Sequence, residues 1–227
     1  MTKSENYCFG PLLYRSKINR DLIIQLIKRG NQSNDTFDKN LPNLVSCEKT
    51  YSPADQEYFS RVISNYMYDY MEARKQWYGE KDYNESFILQ DLWINYIKCG
   101  DYVPYQPSNC DLSFVIYVQV PMDLRKEYLE FKSVIDGGII DRGSHRDVHQ
   151  LHAQDTAGPG SIEFKYGQPE QGFVASRHFY PREGDIYIFP SNFYNITYPY
   201  KTEDRLRIEV RGNFNIRKET LPSVTLK

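Results

Sequence analysis

Three of the chain's four histidines fall within eight residues, at His145, His149 and His152, with Asp141 and Asp147 beside them. On a helix, positions i, i+4 and i+7 share one face, and three imidazoles there are a donor set for zinc or iron. Gly143 and the Asp- and Gly-rich surroundings read instead as a loop, and no cysteine accompanies the run. The plainer expectation is a solvated or contact-making insertion. A second chemical pattern is the alternation of Arg205, Arg207, Glu209 and Arg211 with Leu206, Ile208 and Val210. Its plainer reading is a solvent-facing or salt-bridged stripe along a strand. Gly137-Gly138 and Gly158-Pro159-Gly160 lack the context of a phosphate-binding loop and read as turns. No Ser-His-Asp arrangement is legible.

The elements that must position these residues divide into helices first and strands afterwards. Asn19 to Gly30 reads as a short helix with Leu22, Ile23, Leu26 and Ile27 on one face and Gly30 just past its end. Pro53 to Tyr78 reads as a long helix. Ser52 caps it, Pro53 sits in its first turn, and Phe59, Val62, Ile63, Tyr66, Met67, Tyr70 and Trp77 mark the buried face. Residues 1–18 read as irregular and 31–51 as a polar loop. From residue 87 the pattern turns to strands: 87–98, 111–120, 161–166, 172–179, DIYIF at 185–189 and RLRIEV at 205–210. Met122 to Lys132 holds a turn or two of helix. Strands without intervening helices point to a helix-backed β-sandwich or barrel rather than a parallel α/β sheet. The expected organisation is one domain, with a helical part at 1–86, a β core at 87–227 and an inserted loop region at 122–160.

Composition sets further bounds. Twenty tyrosines and twelve phenylalanines in 227 residues favour an aromatic-cored β domain. A net charge of −2 gives no electrostatic case for nucleic acid or an anionic membrane. No apolar run approaches the roughly 18 residues of a membrane span. The N-terminus lacks an apolar signal core, so synthesis in a cytoplasm is expected. Cys8, Cys47, Cys99 and Cys110 are scattered and read as free thiols.

Several short motifs stand in a recognisable order: Trp93-Ile94-Asn95, Leu112-Ser113-Phe114-Val115-Ile116-Tyr117, Phe189-Pro190-Ser191, Tyr198-Pro199-Tyr200, Arg207 and Gly212-Asn213. In this order the chain resembles the 2-oxoglutarate/Fe(II) oxygenases, in a branch often met in phages. The resemblance covers roughly 93–216, the insertion excluded. It implies a mainly β (α+β) fold, a double-stranded β-helix (jelly-roll) core with N-terminal helices packed on it. It also implies iron held by two His and an acid. Those three slots fall here on Gln106, Ser108 and Asn195, none of them a good ligand for Fe(II). Asp101 or Asp111 could be recruited by another alignment, but neither brings a nearby His, and the His nearest Asn195 is His178 on another strand. Arg207 matches the residue that grips 2-oxoglutarate through a bidentate fork, so a relic carboxylate anchor is the alternative to the stripe. The expectation is therefore a non-catalytic structural or interaction protein with no cofactor. The phage-like branch suggests a virion component at the neck, tail or baseplate, made in the host cytoplasm and partnered by other protein subunits. The alternative is an active dioxygenase using Fe(II) and 2-oxoglutarate through ligands not recognised here.

Overall fold

The computed structural model describes residues 4–8, 10–34, 47–79, 84–105, 108–140, 157–168 and 173–219. Gln106 and the run holding Asp141, His145, Asp147, His149 and His152 lie outside the described residues.

The described residues form ten strands and three helices. In chain order these are β1 (Glu5–Cys8), β2 (Leu12–Lys17), α1 (Arg20–Gln32), β3 (Cys47–Thr50), α2 (Pro53–Tyr78), β4 (Asn84–Ile97), β5 (Leu112–Gln119), α3 (Leu124–Ile140), β6 (Ile162–Gln168), β7 (Phe173–Phe179), β8 (Asp185–Pro190), β9 (Tyr194–Thr197) and β10 (Arg207–Glu219). Seven strands make one antiparallel sheet in the order β1-β2-β8-β5-β10-β4-β3, and three make a second in the order β7-β6-β9. Val103 extends the small sheet by a bridge to Thr197 beside β9. The chain therefore crosses between the sheets as it winds from β4 through Val103, β5, β6, β7, β8 and β9 to β10. This is the double-stranded β-helix, a mainly β fold with the first helices laid against it.

Two apolar layers hold it together. α1 and α2 pack Leu22, Leu26, Phe59, Ile63, Met67 and Tyr70 on one face of the large sheet, against Ile94, Phe114, Ile116, Ile186, Ile188, Val210 and Phe214. The other face meets the small sheet through Val115, Tyr117, Phe164, Tyr187, Phe189 and Phe193. The central strands are thus covered on both sides, and DIYIF is buried at Ile186, Tyr187, Ile188 and Phe189 alike rather than on one face only.

Several local expectations change. Leu12–Lys17 is a strand, not irregular, because it pairs with β8 far along the chain. Cys47–Thr50 edges the large sheet where a loop was expected, so residues 1–86 supply strands as well as helices. α1 continues past Gly30, which is buried; a Cβ there would come within 2.7 Å of Ile94 Cδ1, so this glycine is needed for close packing rather than for ending the helix. α2 runs as expected from the Ser52 cap to Gly79, but Trp77 is 59% exposed and not part of its buried face. α3 replaces the expected turn or two of helix with a longer one reaching Ile140.

Candidate functional site

The interior between the sheets is charged at its centre. β10 alternates its side chains. Ile208, Val210 and Phe214 turn to the helices, while Arg207, Glu209, Arg211 and Asn213 turn inward, where all four are buried. The stripe is salt-bridged, as one reading held, but it does not face solvent. Arg205, before the strand, is the member that stays exposed, donating Nε to Val120 O at 2.9 Å.

One carboxylate serves two guanidinium groups. Glu209 Oε1 lies 3.2 Å from Arg207 Nε, and Glu209 Oε2 accepts from Arg211 Nε at 3.0 Å. Arg211 also reaches the small sheet, where Nη1 donates to Asn195 Oδ1 at 2.8 Å and Nη2 to Thr197 Oγ1 at 2.9 Å. Arg207 Nη1 donates to Gly160 O at 3.2 Å, and its guanidinium lies 5.1 Å from the Tyr200 ring centroid. Tyr200 in turn accepts from Arg207 N at 3.1 Å and donates to Ile97 O at 2.8 Å. Asn95 stands directly across from Glu209 on β4 and Tyr117 directly across on β5. Burial, with the Glu209 carboxylate next, holds the Tyr117 phenol well above its usual range, so it is neutral.

The motif residues prove to be structural neighbours. Ser113 Oγ lies 2.7 Å from Ser191 Oγ and donates to Asn213 Oδ1 at 2.8 Å, and Asn213 Nδ2 donates to Asp91 Oδ2 at 3.3 Å. LSFVIY, FPS and GN thus meet in one polar chain. Gly212 is needed because a Cβ there would fall 2.6 Å from Asp91 O and from Phe114 Cζ.

The remaining candidates sit apart. Ser108 Oγ accepts from Cys110 N at 3.2 Å. Asp101 and Asp111 accept backbone N–H groups from Lys98 and Ile216, both at 2.8 Å. Asn195 pairs with Phe164, which is core, whereas His178 pairs with Glu163, one position earlier. His178 therefore belongs to the opposite face of the small sheet from Asn195. On that outer face Glu163 accepts from Tyr198 Oη at 2.6 Å and from Ser176 Oγ at 2.5 Å, and Lys165 Nζ is 3.1 Å away. Burial pushes the Glu163 carboxyl up, but these donors, Ser176 first, more than offset it and hold it below its usual range.

The described residues do not fit iron. No group of three His, Cys, Asp or Glu among them is arranged to hold a metal. Asn195, one of the slots that the sequence resemblance implies for a ligand, gives its oxygen to the Arg211 guanidinium instead. The sequence singles out Asn195 and sets Arg211 in one stripe with Glu209, but it does not show that Arg211 is the partner of Asn195 and of Thr197. The signal available was Glu209 flanked by arginines two residues either side.

No family model and no curated protein matches the chain. Solved structures do. A viral collagen prolyl hydroxylase from Paramecium Bursaria Chlorella virus-1, in complex with 2OG, is 11% identical with a TM-score of 0.47, covering 91% of this chain and 97% of that one. A prolyl-4-hydroxylase from Pseudomonas putida is 13% identical with a TM-score of 0.49, covering 89% and 92%. A 2OG-Fe(II) oxygenase family oxidoreductase from Burkholderia pseudomallei is 11% identical with a TM-score of 0.38, covering 93% and 71%. Values this low carry no argument about reaction, substrate or cofactor, and the β-helix itself is read from the strand order. The chain is similar in fold to the 2OG-Fe(II) oxygenases, and the likeness is one of fold.

Proposed function

We propose that this chain is a non-catalytic protein that uses an oxygenase-like β-helix as a rigid framework for contacts with other protein subunits. The observation that carries the non-catalytic half is the bond from Arg211 to Asn195. A divalent ion on Asn195 would stand beside that positive charge, a repulsion that the shared Glu209 carboxylate only partly offsets. The phage branch of the sequence resemblance supports a place in a virion, at the neck, tail or baseplate.

The test is anaerobic loading with Fe(II) and 2-oxoglutarate, followed by elemental analysis and an assay for succinate. We expect iron far below stoichiometric and no succinate. Stoichiometric iron with turnover would overturn the reading and put an active dioxygenase in its place. The assembly half is tested by mass spectrometry of purified virions, in which absence of the chain would sink it.

One feature favours a second reading, a carboxylate-binding module. Arg207 Nη2 is buried without a hydrogen-bond acceptor among the described residues. Calorimetric titration with 2-oxoglutarate, repeated on Arg207→Met, separates the two readings, since only a binding module predicts heat that the variant loses.

A further inference from the structure

On the helix side of the large sheet, facing away from the ion triad, lies a cavity of ≈ 260 Å³ lined by Asn31, Cys47, Lys49, Tyr96, Lys98 and Leu206. The strand register builds it. Cys47 stands across from Tyr96, Lys49 follows Cys47 by two residues, and Lys98 follows Tyr96 by two, so all four share one face at a sheet corner. The end of α1 closes one side, where Tyr96 Oη donates to Asn31 Oδ1 at 2.6 Å. Lys49 Nζ lies 5.7 Å from the Tyr96 ring centroid. Neither the Lys49 nor the Lys98 ammonium meets a carboxylate among the described residues.

Two ammonium groups with no carboxylate partner among the described residues, beside an apolar wall, suit a ligand with one anionic end and one apolar end. The volume lies just under the roughly 300–1,000 Å³ typical of sites for drug-sized ligands, which limits the ligand to something compact. We propose that this corner binds a small organic anion, its carboxylate or phosphate held by Lys49 and Lys98 and its apolar body resting on Leu206 and the Tyr96 ring. Lysine suits this role as a flexible point charge. The inference concerns the far face of the sheet and stands whether or not the interior binds iron.

Cys47 supplies the reporter, since its free thiol lines the cavity. The experiment follows iodoacetamide labelling of each cysteine by peptide mass spectrometry, in chloride and in inorganic phosphate or benzoate at matched ionic strength. An occupied cavity slows Cys47 labelling by the factor 1 + [L]/Kd, about tenfold at roughly ten times Kd, while Cys99 and Cys110 keep their rates. Lys49→Gln with Lys98→Gln abolishes the protection, and so does Lys98→Glu, a change at an exposed position that leaves the core intact. Protection by one anion alone assigns the site to carboxylates or to phosphates. Protection by neither, or protection that survives both variants, overturns the proposal.

Discussion

Arg211 on β10 and Asn195 on β9 join the two sheets of the β-helix, the guanidinium Nη1 donating to the amide Oδ1 at 2.8 Å. The same guanidinium holds Thr197 on β9 and Glu209 on its own strand. A side-chain cation thus ties together the two strands that flank the interior. Its charge is half balanced, because Glu209 is shared with Arg207.

Truncating Arg211 therefore exposes the cost of that arrangement. Arg211→Ala leaves Glu209 with one partner and orphans the oxygens of Asn195 and Thr197 in a buried site. Breaking a buried ion pair from one side costs about 3–5 kcal/mol. Urea unfolding of the variant should show a loss of that order. A loss below about 1 kcal/mol would mean that water reaches the triad.

Acid should unfold the protein partly through Glu163. Its carboxyl is held below the usual value by Ser176, Tyr198 and Lys165 working against burial. A lowered folded value means the stabilisation is fully present above the unfolded value of 4.5 and is lost as pH falls through the folded one. Glu163→Gln should cost about 1.5–3 kcal/mol at neutral pH, the range for hydrogen bonds to a charged group. It should also flatten the acid limb of Tm against pH. An unchanged acid limb would show that other carboxylates govern it.

The sequence carried the long helix and most strands from residue 87 on, because caps and period are local signals, and the β-helix through the resemblance in motif order. It did not carry which faces are wet. Leu206, Ile208 and Val210 announce a strand, but Arg207, Glu209 and Arg211 look like the solvent side of one. They are buried because a second sheet covers them, a tertiary fact supplied by the pairing of Phe164 on β6 with Asn195 on β9. Leu12–Lys17 is missed for a similar reason, since its strand character is completed by β8. Asn195 was found only through the order of motifs around it, which names a slot but not its occupant's partner.

Gly212 tests the claim that the motif order reports packing. Its missing Cβ leaves room for Asp91 O and the Phe114 ring, both 2.6 Å from where the carbon would stand. Backbone cannot retreat as a side chain can, so Gly212→Ala should destabilise by about 1–3 kcal/mol or more, the range for overpacking a core. Folded yield and the urea midpoint measure it. A variant as stable as the parent would show that β4 and β10 can part without cost.

Alkali should reveal the buried phenols. Burial raises Tyr51 and Tyr117 well above the ordinary value of 10.0, and lifts Tyr96 and Tyr180 to about 12. For a group whose folded value is raised, the stabilisation is present below the unfolded value. It is lost as pH climbs from about 10 through the folded value, because the unfolded chain releases protons the folded one keeps. Phenolate absorbance followed against pH should rise in two phases, exposed tyrosines first and the remainder only as the circular dichroism of the fold is lost. Tyr117→Phe should shrink the second phase. If all twenty tyrosines ionised together near the ordinary value while the fold persisted, the burial of Tyr51 and Tyr117 would be wrong.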